Sequence, residues 1–254
     1  MLEHISSLIV DLDGVLWWGK KPIQGAAEAL QELQRRGKKL AFLTNNSTLS
    51  RMDCKRRLWK LGLQVELERI VTSSYGAALY LKAEHAARVY VIGERGLKEE
   101  LKLAGIKMVD GEAGGITHVV VGLDRKLTYN KLVAGMRAIL SGAKFVATNR
   151  DCSFPSERGL LPGAGAIVSS LEAASGRSPD VVIGKPEPFL IRLALKALGS
   201  QPRTTALVGD RIETDFQAAK RAGLKMILVL TGVTKELGRG PKPDLVVKSL
   251  GDLL

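Results

Sequence analysis

The sequence predicts an α/β protein: a mostly parallel sheet with crossover helices, into which a second, smaller α/β unit is inserted. Short β-rich runs alternate with helical patterns along the whole chain, as parallel sheets require. The 254 residues are 45% hydrophobic and 25% charged, enough for one large or two modest globular domains. Ser7–Val10 opens as a strand, and Gly25–Arg36 follows as a helix with Ala26, Ala29, Leu30 and Leu33 on one face and Gly37 as its stop. Lys39–Leu43 is the second strand, after which Ser50 is placed to cap a basic helix. In the middle of the chain Arg88–Ile92, Thr117–Gly122 and Lys144–Ala147 read as strands, and Tyr129–Leu140 as a helix. Val181–Ile183, Thr205–Val208, Met226–Leu230 and Leu245–Val247 complete the strands, with Pro188–Leu198 helical. The loop-rich stretch is Gly238–Pro243.

Composition excludes several classes. No apolar run approaches the ~18 residues of a membrane span, and Met1-Leu2-Glu3-His4 lacks the basic start and apolar stretch of a leader, so a cytoplasmic location and no membrane partner are expected. Cys54 and Cys152 are expected as free thiols. The net charge of +12 invites a nucleic-acid reading, but residues 1–84, 85–177 and 178–254 each carry +4, and aromatics are only 5%. There is no basic tail, so no nucleic-acid partner is expected. The one concentration, Arg51, Lys55, Arg56, Arg57 and Lys60, is either a solvated helix face or a patch that steers anions to a nearby site.

Four strand ends carry chemistry. In LIVDLDGVL, Asp11 and Asp13 alternate to the same side of an extended chain, and Gly14 lets the backbone turn away. Two adjacent carboxylates repel unless a cation lies between them or their pKa values separate, so a hard metal such as Mg²⁺ or an acid/base pair is indicated. LAFLTNN presents Thr44, Asn45 and Asn46 at a second strand end, suited to cradling phosphate. VVIGKP delivers Lys185, and ALVGDRIETD delivers Asp210 and Asp215. A plain turn or a calcium loop at Asp11-Leu12-Asp13-Gly14, a helix cap at Thr44, a solvated Lys185 and a helix N-terminal Asp210 explain each in isolation, but not all four in this chain order. His4, His85 and His118 show no ligand spacing and are expected to be structural.

On DLDG, LTNN, GKP and GDRIETD the sequence resembles the haloacid dehalogenase (HAD) superfamily. On VYVIGERGLKEEL, HVVVGLDRKLTYNKL and FVATNRDCSFP with GLLPGAGAIV it is similar to the NagD-like, 4-nitrophenylphosphatase-like branch of that superfamily. Asp13 to Thr44 spans 31 residues and Lys185 to Asp210 spans 25, each suited to one crossover, whereas Thr44 to Lys185 spans 141 and must hold an insertion. The resemblance implies a Rossmann-like core formed by 1–84 and 178–254, with 85–177 as an α/β cap.

It also implies a Mg²⁺-dependent phosphatase for a small phosphorylated metabolite. Asp11 would be the nucleophile and Asp13 the general acid and base, while Thr44 and Lys185 would hold the phosphoryl oxygens. The metal would be held by Asp11, the Asp13 carbonyl and Asp210, with Asp215 holding a metal-bound water. Asn45 and Asn46 either position substrate or cap the Ser50 region. In the cap, Asn149, Asp151 and Phe154 align with a specificity loop, though a turn and a core phenylalanine account for them equally well. A phosphotransferase or mutase on the same core and a non-catalytic nucleic-acid-binding protein are the alternatives, and a homodimer is left open.

Overall fold

The computed structural model describes residues 4–156, 159–240 and 242–254. Met1, Leu2 and Glu3 of the leader reading, and Pro241 of the loop-rich stretch, lie outside them. In chain order, β1 (Ser7–Asp11) runs into a hairpin of β2 (Trp17–Trp18) and β3 (Lys21–Pro22), then α1 (Ala26–Arg35), β4 (Lys39–Thr44), α2 (Arg51–Lys60), β5 (Ile70–Thr72) and α3 (Ser73–Ala83). The middle stretch holds β6 (Val89–Ile92), α4 (Arg95–Leu103), β7 (Met108–Val109), β8 (His118–Val121), α5 (Tyr129–Leu140), β9 (Lys144–Ala147), the hairpin β10 (Ser153–Ser156) and β11 (Gly159–Pro162), and α6 (Ala164–Ser175). The chain then adds β12 (Val181–Val182), α7 (Phe189–Leu198), β13 (Thr205–Gly209), α8 (Gln217–Ala222), β14 (Lys225–Val229) and β15 (Leu245–Val247).

Two parallel sheets result. The first has the order β15-β14-β13-β1-β4-β5, and the second β12-β9-β8-β6-β7. Strand alternation sorts the core: Leu8 and Val10 of β1 pack with α1 and α2, while Ile9 faces α3, α7 and α8. That second layer does not stop at the first sheet. Val89, Val120 and Val146 of the other sheet and Leu97 and Leu101 of α4 belong to the same apolar cluster. The far face of the second sheet is covered by α5 and α6 through Ile139, Val168 and Leu171.

One strand is not where the sequence suggests. Val181–Ile183, read as a strand of the first sheet, pairs with β9 in the second, Val181 opposite Val146. Asp180 secures it there, since its backbone N–H donates to the Phe145 carbonyl at 2.8 Å and its carboxylate accepts the Phe145 N–H at 2.7 Å. The chain leaves that sheet at Ile183, and Gly184 and Lys185 run between Asn45 and the start of α7. Both cysteines are free, Cys54 buried and Cys152 exposed.

Candidate active site

The ends of β1, β4 and β13 meet on one edge of the first sheet, where open parallel sheets bind ligands. Asp11 closes β1 at 6% exposure, beside Lys185, whose Nζ lies 2.9 Å from Asp11 Oδ1 and 2.6 Å from Asp215 Oδ1. Burial alone would lower the Lys185 ammonium, but Asp11 and Asp215 more than reverse this and hold it above its ordinary range. Asp215 Oδ2 accepts the backbone N–H groups of Asp210 and Arg211 at 3.2 and 3.0 Å, so this acid orients both Lys185 and the turn after β13.

Asp11, Asp210 and Asp215 bring carboxylate oxygens within 4.8 Å of one another, all buried. Asp210 Oδ2 accepts the Val233 N–H at 2.6 Å, but the buried Oδ1 has no hydrogen-bond partner among the described residues. Burial, followed by repulsion from Asp215, raises Asp210 to about 7. Burial likewise pushes Asp11 well up; Lys185 opposes this, while Asp215, Asp210 and Asp13 add to it. A Cβ on Gly14 or Gly232 would overlap the Asp210 carboxylate, so glycine is required at both for the acid to lie there. Three buried carboxylates with an orphaned oxygen and a single lysine fit a hard divalent cation.

Asp13 sits apart from this group. Its Oδ1 accepts the Trp17 indole N–H at 3.0 Å, and its Oδ2 accepts the Thr44 hydroxyl at 3.2 Å. Thr44 Oγ1 in turn accepts the Asn46 N–H at 3.0 Å. Asn46 Oδ1 takes the Thr48 N–H at 2.9 Å and the Thr48 hydroxyl at 2.7 Å, shaping the loop before α2. Asn45 is a junction: its Oδ1 accepts the Lys185 N–H at 2.8 Å, and its amide donates to the Lys185 carbonyl at 2.9 Å and to both Asp151 oxygens at 3.2 Å.

A cavity of about 590 Å³ opens over Asp11, Asp13, Thr44 and Lys185. Asn149, Asp151 and Phe154 all line it from the second unit. Asn149 is 4% exposed, with its amide donating to the Asn45 carbonyl at 2.8 Å and its Oδ1 accepting the Asp151 N–H at 3.1 Å. Burial pushes Asp151 up, with Arg211 and Asn45 opposing. Phe154 is half-buried on β10. That hairpin is bonded to the first unit, where Trp18 Nε1 donates to the Ser156 carbonyl at 3.1 Å and the Arg211 guanidinium to the Ser153 carbonyl at 3.2 Å.

Sequence reasoning missed Trp17, Arg57, Arg125 and Arg211. Arg57, Arg125 and Arg211 line the cavity, and Arg57 also stacks on Trp17. The only signal was the basic run that contains Arg57. No histidine joins a metal-capable group among the described residues.

A model of haloacid dehalogenase-like hydrolases matches residues 8–107, and a second HAD-hydrolase-like model matches 182–253. The chain belongs to the haloacid dehalogenase-like hydrolases. It is 38% identical to an acid sugar phosphatase of Staphylococcus epidermidis over 92% of this chain and 89% of that protein. Among solved structures, a p-nitrophenyl phosphatase from Archaeoglobus fulgidus superposes with a TM-score of 0.91 at 40% identity, covering 98% of each chain. NagD from E. coli K-12 superposes with a TM-score of 0.87 at 33% identity, again over 98% of each chain. Within the family this chain is a phosphatase of the NagD-like branch, as the sequence resemblance implied.

Proposed function

We propose that the chain hydrolyses small phosphate monoesters with Mg²⁺ and an aspartyl-phosphate intermediate. Residues 1–84 and 178–254 would act as the core, apart from the short β12, and 85–177 as the cap. The observation that carries this is Asp11: a buried carboxylate lining the cavity, paired with Lys185 and clustered with the buried carboxylates of Asp210 and Asp215. Asp11 attacks phosphorus, its O–P bond forming as the ester P–O bond breaks. Asp13 gives its proton to the departing alkoxide, then takes one from the water that attacks the intermediate and restores Asp11. Lys185 balances the charge of Asp11, so an anionic substrate can approach an anionic nucleophile. Thr44 and Lys185 hold phosphoryl oxygens. Asp11, the Asp13 carbonyl and Asp210 would hold Mg²⁺, which when bound supplies positive charge for the acids and the phosphoryl group.

The substrate is a small phosphorylated metabolite, a class that fits both the cavity volume and the sugar phosphatase among the relatives. A cytoplasmic location is compatible with the described residues, where no helix is long and apolar enough to cross a membrane. The test is phosphate release from 4-nitrophenyl phosphate and from a sugar phosphate. Activity is expected to vanish with a chelator, return with Mg²⁺, and be absent in Asp11→Asn. Full turnover without a divalent ion, or by Asp11→Asn, would overturn the reading.

A further inference from the structure

Trp17 is among the largest fully buried side chains, at 1% exposure, yet its one polar atom is spent on Asp13. The backbone arranges this. Leu16 N–H and Trp17 N–H return to the Leu12 carbonyl at 2.9 and 3.3 Å, and Gly14 N–H donates to the Trp17 carbonyl at 2.7 Å. This tight turn lays Trp17 against Asp13. The indole is then clamped: the Arg57 guanidinium sits 3.9 Å from the ring centroid and donates to the Gly19 carbonyl. One member of the basic run on α2, half-buried at the cavity wall, is therefore held against this ring.

We propose that Trp17 is a positioning residue for Asp13: its indole N–H holds Oδ1, so that the proton Asp13 transfers resides on Oδ2. The proposal rests on the reading of Asp13 as general acid and base. Hydrogen-bond capacity leads to it. Thr44 has a single hydroxyl hydrogen and gives it to Asp13 Oδ2. A phosphoryl oxygen that takes this hydrogen releases Oδ2 toward the leaving group. Among the described residues the Trp17 indole N–H has no acceptor but Asp13, so Oδ1 stays held while Oδ2 works. An indole N–H on Oδ1 favours the lone-pair form of that oxygen and directs the acid proton to its neighbour. Without the indole N–H the carboxyl group rotates, and the proton is no longer presented in one direction.

Trp17→Phe keeps an aromatic ring beneath Arg57 and deletes only the donor. The kcat/KM value reports steps up to departure of the leaving group, so it isolates the acid function. For a sugar phosphate it should fall about 10- to 100-fold, one to two of the decades that acid–base catalysis supplies. For 4-nitrophenyl phosphate, whose leaving group needs little protonation, it should stay within about threefold. In an Asp13→Asn background the same substitution should cause no further loss, because its effect acts through Asp13. Equal losses on both esters, or a loss that persists in Asp13→Asn, would return Trp17 to a packing role. Should Trp17→Phe not fold, benzothienylalanine in place of Trp17 exchanges the N–H for sulfur at constant shape and is read by the same comparison. Failure of the underlying reading shows separately, as wild-type turnover of the sugar phosphate by Asp13→Asn alone.

Discussion

Asp210 carries a cost of burial and of repulsion from Asp215 that the proposed Mg²⁺ would relieve. Its folded-state pKa of about 7 lies above the ordinary 3.8, chiefly because of burial and secondarily because of Asp215. A raised carboxyl pKa means that the folded chain binds more protons than the unfolded chain between those two values. Stability from this group is therefore fully present near pH 4 and is lost as pH rises toward 7. Asp11, pushed the same way, adds to the slope. Metal-free protein should show a melting temperature that declines from about pH 5 to 7 and then flattens. Mg²⁺ needs both carboxylates ionised, so the rise in melting temperature that it produces should be larger at pH 8 than at pH 5.5. Thermal melts at several pH values with and without Mg²⁺ check this, and a Mg²⁺ effect independent of pH would count against these ligands.

At the scale of elements, α4 is fixed to the start of α2 by a residue that the sequence hides. Glu100 is 2% exposed; its Oε1 accepts the Arg51 N–H at 2.7 Å and its Oε2 the Arg51 Nε–H at 3.2 Å. Arg51 also lies over the Tyr75 ring at 3.5 Å. A carboxylate at a helix N-terminus satisfies orphan donors and opposes the helix dipole. Gly96 allows the approach, since a Cβ there would overlap the backbone of Thr48 and Leu49. Glu100→Ala should cost about 3 kcal/mol by stranding a largely buried guanidinium. Glu99→Ala, which removes an exposed pair with Arg95, should cost under about 0.5 kcal/mol. Denaturant melts of the two variants give the comparison. In the sequence both are letters of one charged run, KEEL, and only packing against α2 separates them. The strand ends were legible for the opposite reason. An apolar run that stops at Asp-x-Asp-Gly or Gly-Asp is a local signal, whereas Arg57 and Arg211 reach Gly19 and Ser153 from other parts of the chain, and Trp17, though only four residues from Asp13, reaches it through a tight turn that hydrophobic periodicity does not reveal. Val181–Ile183 was legible as a strand but not as a member of the second sheet, because an apolar run does not encode its neighbour. The hairpins β2–β3 and β10–β11 are too short or too exposed to show a period.

The two sheets are joined by more than the chain crossings between them. One apolar cluster runs from Ile9, Leu43 and Leu207 of the first sheet through Ala77 and Leu81 of α3 to Leu97, Leu101, Val89 and Val120 of the second unit. On the hairpin side the contact is thinner, with Trp18 and Arg211 each bonded to one backbone carbonyl. The second unit is thus anchored by apolar packing at α3 and α4, and over the cavity it is held by polar bonds, including those of Asn45 to Asp151 and of Asn149 to Asn45. Two units with separate cores melt separately, whereas a shared core couples them, because unfolding either exposes apolar surface of the other. Leu97, fully buried in that layer, is the place to test it. Heat unfolding of the wild type should be one transition with equal calorimetric and van't Hoff enthalpies. Leu97→Ala should cost about 2–5 kcal/mol and lower that single transition as a whole. The loss is larger than a surface change of the same unit could produce, and it should register alike in tryptophan fluorescence, which reports the first unit because Trp17, Trp18 and Trp59 all lie there, and in far-UV dichroism, which reports both. Two resolved transitions, or a fluorescence midpoint untouched by Leu97→Ala, would show that the units fold independently and that the shared layer transmits nothing.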